Sequence, residues 1–215
     1  MEFVWVVPRS ALFPECAPHG FEALSPEELE HRYLAPAREH GFFVERRAAE
    51  VRPEWKQPIP YVAVVRDGEV LCLTRLPRQG EARLHGKRSI GVGGHVEPED
   101  AAGGADPFRT ACLRELHEEL VLPREAAERL VPLGLLNDDS VPVGAVHVGL
   151  VYGLDATGFE VSVRETDAMT GAFRPLDALR AEAEREDHGF ESWSALLLRS
   201  GALEGMASRA AASPV

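Results

Sequence analysis

Residues 109–120 read RTACLRELHEEL, and Glu115, Glu118 and Glu119 recur in that stretch at spacings of three and four. At about 100° per residue the three acids share one arc of a helix, with Arg114 and the small Ala111 beside them. Cys112, Leu113, Leu116 and Leu120 fall on the opposite arc, the pattern of a helix lying on a core. Like charges three and four apart repel, and surface helices ordinarily relieve them with a cation four residues on. Here the residues four after Glu115, Glu118 and Glu119 are Glu119, Leu122 and Pro123. A solvated acidic face is the bland meaning of such a pattern. A cluster of oxygen ligands also suits a hard divalent cation, because Mg²⁺ and Mn²⁺ prefer carboxylates.

The chain around this helix is long enough for a sizeable core. It has 215 residues, 45% hydrophobic and 27% charged, and reads most simply as one domain with an elaboration. A formal net charge of −12 disfavours nucleic acid and anionic membranes as partners. Cys16, Cys72 and Cys112 are odd in number and widely spaced, which fits a reducing cytoplasm and no disulfide framework. The start, MEFVWVVPRS, has no basic region followed by a long apolar one, and no later run has the length of a membrane span. A cytoplasmic location is expected.

EFVWVVP predicts a strand ending at Pro8, and Ser25-Pro26-Glu27-Glu28 predicts a capped helix running to about Arg38. GFFVERR at 41–47 reads as a further strand. Residues 48–60, with Pro53, Pro58 and Pro60, read as a connection. YVAVV at 61–65, the Asp67-Gly68 turn and EVLCLTRL at 69–76 predict a hairpin. A loop over 77–88, a short strand at SIGVGG and the helix at 107–120 follow. LGLLND after Pro132 leads into an expected central strand at 143–154, then a strand at 160–165 and helices at 175–186 and 190–200. The expected domain plan is an N-terminal strand-helix extension over 1–60, a main domain over 61–203 and a flexible tail over 204–215.

Upstream of the helix lies Gly93-Gly94-His95-Val96-Glu97-Pro98-Glu99-Asp100, a glycine-rich turn followed by acids. With Arg114-Glu115-Leu116-His117-Glu118-Glu119 it resembles the signature of the Nudix hydrolase family. That signature is a glycine, five residues, Glu, seven residues, then Arg-Glu, an aliphatic residue, any residue, Glu-Glu, any residue, Gly and an aliphatic residue. Gly94 matches the leading glycine, and Glu97 stands where many members carry Glu. Two departures are present. Thirteen residues separate Asp100 from Arg114 where seven are expected, which implies an insertion around 101–106. Asp106 alone has the family spacing to Arg114, so Asp100 and Asp106 compete for the signature acid, with Asp100 preferred. Val121 replaces the glycine after the helix, which must end without the left-handed glycine cap, and Pro123 is expected to stop it.

The resemblance implies an α+β fold, a Nudix-like α/β/α sandwich with a central mixed β-sheet. It implies that Glu115, Glu118 and Glu119 bind Mg²⁺ or Mn²⁺, that the Gly94 carbonyl joins them, and that Arg114 pairs with the signature acid. It implies attack of water on a diphosphate linkage of a nucleotide derivative, with Glu115 or Glu118 as general base. More loosely, the N-terminal extension, KRSIGVGGHVEPED and NDDSVPVGAVHVGLV resemble a bacterial subgroup described as phosphoesterases of Nudix type. Asp138 and Asp139 stand where Nudix enzymes often place a further ligand or base, although a turn role is as reasonable. His95, beside the glycines, is a candidate phosphate contact. His147 reads as a structural histidine, Trp193 as core with Glu191 near a pocket, and Cys72 and Cys112 as buried small hydrophobes. A phosphorylated small molecule is the expected partner, and the extension is a candidate homodimer surface. A nucleotide-sensing module without hydrolysis and a prenyl-diphosphate isomerase are the alternative functions.

Overall fold

The computed structural model of the chain describes residues 1–75, 87–164, 166–167 and 169–206. The expected loop, apart from Lys87 and Arg88, and the tail from residue 207 lie outside the described residues.

The chain opens with β1 (Phe3–Pro8), a helical turn α1 (Arg9–Leu12) and β2 (Gly20–Ala23). Ser25 then starts a helical stretch in the expected way. Its hydroxyl accepts from the Glu28 amide at 3.2 Å, and the Glu28 carboxylate accepts from the Ser25 amide at 2.8 Å. The stretch runs as α2 (Pro26–Leu29), a π-helical turn over Glu30–Leu34 and α3 (Ala35–His40). After it come β3 (Phe42–Glu45) and α4 (Arg46–Ala49).

β4 (Trp55–Arg66) corrects the reading of 48–60 as a connection, because Pro58 and Pro60 lie inside a twelve-residue strand. Residues two apart in a strand turn their N–H positions to the same edge, so both missing donors fall on one side of β4. The pairing of the other edge is untouched by them. The predicted hairpin to β5 (Glu69–Arg75) is present, with Val65 opposite Val70 and Arg66 opposite Glu69. Asp67 at φ 50° and Gly68 at φ 82° make the two-residue turn that matches strand twist.

Two short strands, β6 (Arg88–Ser89) and β7 (Gly91–Gly93), replace the single one expected at 89–94. They precede α5 (Pro98–Ala101) and α6 (Pro107–Glu119). Next are β8 (Leu120–Val121), a 3₁₀ turn over Arg124–Arg129 and β9 (Leu130–Asn137). The strand expected from residue 143 begins only at His147. Pro142 occupies the first position of α7 (Pro142–Val146), where its fixed φ suits a helix, and β10 (His147–Asp155) starts after it. β11 (Ser162–Val163) is shorter than expected, followed by β12 (Met169–Pro175), α8 (Leu176–Ala183) and α9 (Ser192–Ser200). β2 and β12 carry no clear alternation of apolar and polar residues, so periodicity does not mark them.

The result is an α+β fold with a large mixed sheet, built as two compact units. The first contains Met1–Tyr61, Gly93–Arg114 and Pro132–Tyr152. Within it β1 pairs antiparallel with β3 and with the start of β4, and β2 pairs with β9 from Gly20 opposite Asn137 to Ala23 opposite Gly134. Val4, Val6 and Ala49 form a buried cluster, with Val44 and Trp55 against it. The Trp5 indole donates to the Ala37 carbonyl at 3.1 Å, and its ring meets Phe43 and Phe108 edge-on.

The second unit contains Val62–Val92, Glu115–Val131 and Gly153–Val215. Here β12 pairs antiparallel with β5 along its length, β5 pairs with β6, and β8 pairs with β11. Glu182 on α8 receives Arg88 and Arg174, and Arg88 also lies over the Phe190 ring at 4.0 Å. Glu191 caps α9 by accepting the Trp193 and Ser194 amides, a structural task for a residue expected near a pocket.

Candidate active site

The helix that carries the acids splits its faces as the periodicity implies. Ala111, Cys112, Leu116 and Leu120 are buried, while Glu115 and Glu119 are partly exposed and Glu118 is exposed. Ala111 is buried although it lies on the side of the acids, two turns before Glu118. The thirteen residues of α6 run from Pro107 to Glu119, and the Val121 departure is resolved in an unexpected way. Arg164 takes over the glycine's task. Its amide donates to the Glu119 carbonyl at 2.8 Å, and its guanidinium donates to the carbonyls of His117 and Leu120 at 2.8 and 3.2 Å. A cation at a helix C-terminus also complements the helix dipole. The helix therefore ends well before Pro123.

The rivalry between Asp100 and Asp106 comes down to two arginines. The Arg114 guanidinium forks onto Asp100, with Nε to Oδ1 at 3.1 Å and Nη2 to Oδ2 at 3.0 Å. Nη2 also donates to the His95 carbonyl at 2.8 Å. Asp100 is buried, and its Oδ2 accepts the Glu97 amide at 2.8 Å while Glu97 caps α5 in return. Asp106 instead receives Arg38 at 3.0 Å and caps the start of α6 through the amides of Phe108 and Arg109. The residues between them are the extra turn. Glycine-rich Gly103-Gly104 passes from α5 to the cap, with Gly104 at φ 71°. The loop from His95 to Asp100 is thereby clamped by Arg114, and the Trp5 amide holds it from β1 by donating to the Val96 carbonyl at 2.9 Å.

Asp138 and Asp139 lie together after β9 with different partners. Asp138 is buried and accepts from the Ser140 amide at 3.1 Å, the Asx turn that Asp favours. Asp139 accepts from Lys56 Nζ at 2.7 Å, from Arg9 and from Asn137. Lys56 is fully buried and donates also to the carbonyls of Gly144 and His147, at 2.7 and 3.1 Å. Burial pushes the Lys56 ammonium below its ordinary pKa against the pull of Asp139. For Asp139, burial works against ionisation, but hydrogen bonds from Arg9, Lys56 and Asn137 outweigh it and hold the carboxyl below the usual range. Both acids thus have protein partners in this arrangement.

Gly144 makes that arrangement possible. A Cβ at this position would sit 1.8 Å from the Asp138 carbonyl oxygen, a backbone atom that cannot step aside. Gly144→Ala is expected to cost about 2 kcal/mol through overpacking, lowering Tm by roughly 4–8 °C. A thermal melt within a degree of the parent would contradict this close approach.

His95 and His147 meet in the same unit, with 3.2 Å between their Nε2 atoms. Burial, then the positive charges of Arg46 and Arg114 and the neighbouring His147, push the His95 pKa down to about 3, so it is neutral near pH 7. Glu50, which caps the C-terminus of α4, joins them. No local sequence pattern marks Glu50, since it sits in the stretch read as a connection and its partners lie far along the chain.

No family model matches the chain. Protein YmaB of Bacillus subtilis (strain 168) is 35% identical over 198 residues, 90% of this chain and 94% of that protein. The crystal structure of Tm1382, assigned to the Nudix hydrolases, is 28% identical, covers 93% of this chain and 97% of its own, and superposes with a TM-score of 0.75. The chain belongs to the Nudix hydrolase family. A Nudix hydrolase from Alicyclobacillus acidocaldarius shares the fold at 15% identity, with a TM-score of 0.51 over 71% of this chain and 96% of its own. The Tm1382 match spans nearly the whole of both chains, so the N-terminal strands and helices are common to the two Nudix proteins. None of the helices among the described residues is long and apolar enough to cross a membrane.

Proposed function

We propose that the chain is a Mg²⁺- or Mn²⁺-dependent hydrolase that cleaves a diphosphate linkage in a nucleoside diphosphate derivative. The observation that carries this reading is Arg114-Glu115-Leu116-His117-Glu118-Glu119 on one helix of a Nudix fold, with its Arg bound to Asp100. Three carboxylates on one arc are an all-oxygen donor set, which fits a hard divalent cation and gives a softer ion no preference. Glu115, Glu118 and Glu119 would hold it. When bound, the ion withdraws charge from phosphate oxygens and lowers the pKa of water.

The remaining tasks fall to the chain. Arg114, fixed by Asp100, orients the first turn of ligands and anchors the loop from His95 through its carbonyl. A glutamate of the trio, Glu115 or Glu118, accepts the proton of the attacking water. Residues 1–60 are proposed to form an extension of the catalytic domain, and the working compartment is proposed to be the cytoplasm. A panel of nucleoside triphosphates, ADP-ribose, dinucleoside polyphosphates and nucleotide sugars, assayed with Mg²⁺ and with Mn²⁺, tests the reading. Phosphate-bond cleavage of at least one class, abolished by EDTA and restored by added Mg²⁺, is expected. Nucleotide binding without turnover across the panel would replace the hydrolase by a sensing module.

A further inference from the structure

Glu50, His95 and His147 come from the end of α4, the loop after β7 and the first residue of β10, yet each offers one ligand atom within 4.8 Å of the other two. None belongs to the acidic arc of α6. We propose that these three residues form a binding site for a divalent transition-metal ion of the zinc class, with a coordination position left for an outside ligand. The site is independent of the hydrolase reading.

The geometry starts with His147. Its Nδ1 lies 2.7 Å from the Val143 carbonyl oxygen, which can only accept, so Nδ1 carries the proton. The Nε2 of the neutral ring then presents its lone pair, and it faces His95 Nε2 at 3.2 Å. Two nitrogens at that separation, each about 2.0–2.1 Å from a zinc-class ion, subtend about 100° at it, close to the tetrahedral angle. In the metal-free chain one ring must donate to the other. A cation replaces that proton, with His95 taking the tautomer protonated on Nδ1.

The surroundings are those of a built site. Ligating histidines usually donate their second nitrogen to a carbonyl or carboxylate, as His147 does to Val143. Lys56 fixes the His147 backbone by donating to its carbonyl, and Arg114 does the same for His95. His147 is buried, at 6% exposure, so its ring cannot swing into solvent. The third ligand is less enclosed. Glu50 is partly exposed, and its carboxylate touches Arg46 Nε at 3.4 Å while Arg46 makes a shorter bond to Glu2 at 2.7 Å. Two neutral imidazoles and one carboxylate form a borderline donor set, suited to Zn²⁺, Co²⁺ or Fe²⁺ and poorly matched to Mg²⁺. A single negative charge against a dication leaves the loaded site net positive, so an anionic oxygen, from water or phosphate, is the natural occupant of the open position.

Co²⁺ titrated into metal-free protein tests the site, read by its visible absorption and by calorimetric stoichiometry. A Cys16→Ser background removes the exposed thiol, which would otherwise compete. About one equivalent should bind with the intense bands of low-coordinate nitrogen and oxygen ligation. The bands should persist in a Glu115→Gln, Glu118→Gln, Glu119→Gln triple variant, which the hydrolase reading requires to be inactive. Glu50→Gln and His147→Gln should each weaken Co²⁺ by at least about tenfold. Glu50 is partly exposed, so its variant remains informative if the His147 substitution fails to fold. Absence of the bands in the parent, their loss in the triple variant, or unchanged affinity in Glu50→Gln would overturn the proposal. None of these outcomes depends on whether the panel of diphosphates is hydrolysed.

Discussion

Glu118→Gln, and separately Glu119→Gln, should lower turnover of the best diphosphate substrate by about a hundredfold or more, a loss of at least ~2.7 kcal/mol of transition-state stabilisation. The amide keeps the length and helix preference of the side chain but removes its charge. Both residues stand on the acidic arc of α6, away from buried Leu116 and Leu120, so the substitution leaves the core face untouched. The far-ultraviolet circular dichroism and Tm should therefore stay near the parent values while activity collapses. Raising Mg²⁺ should recover part of the rate if the variant has lost cation affinity rather than a proton acceptor. Activity at the parental level in either variant would remove these glutamates from the metal site.

The second large effect is on stability. Asp139→Ala should destabilise the chain by about 2–3 kcal/mol, because it leaves the Lys56 ammonium in a fully buried position without its carboxylate. The figure is set below that for a fully buried pair because the Asp139 side chain is itself 34% exposed, beside Arg9. A Tm lower by roughly 4–12 °C is expected. The pH dependence follows from the depressed Asp139 carboxyl. Its contribution is fully present above the ordinary aspartate pKa and fades as pH falls from about 4 toward the lower folded-state value. Denaturant titrations from pH 7 down to pH 3 should give a steeper loss in the parent than in Asp139→Ala. Parallel curves would show that the Lys56 cluster does not govern acid stability.

What could be read from the chain beforehand divides along physical lines. α6 was legible because one helix must both pack and carry charge, so two residue classes separate at the same period. The hairpin at Asp67-Gly68 was legible because positive φ at both turn positions restricts the residues allowed there. The first half of β4 was hidden, since prolines usually mark connections and only the sheet around it decides that their missing donors are harmless. Spacing also could not separate Asp100 from Asp106. That choice depends on Arg38, 68 residues from Asp106, which engages the latter and leaves Arg114 to Asp100. The trio of Glu50, His95 and His147 lies further out of reach, since no local period connects three elements brought together by the fold.

The end of α6 has one more consequence. A helix stopped by glycine is stopped by its own sequence, as soon as the chain passes that residue. Here the stop comes from Arg164, 47 residues beyond the His117 carbonyl it binds, and it arrives with the pairing of β8 and β11. The carbonyls that end the last turn of α6, which bears Glu118 and Glu119, are therefore satisfied by a residue whose placement closes a long loop. The carbonyls at the end of the acidic arc thus have their partners only where the strands that hold Arg164 are paired.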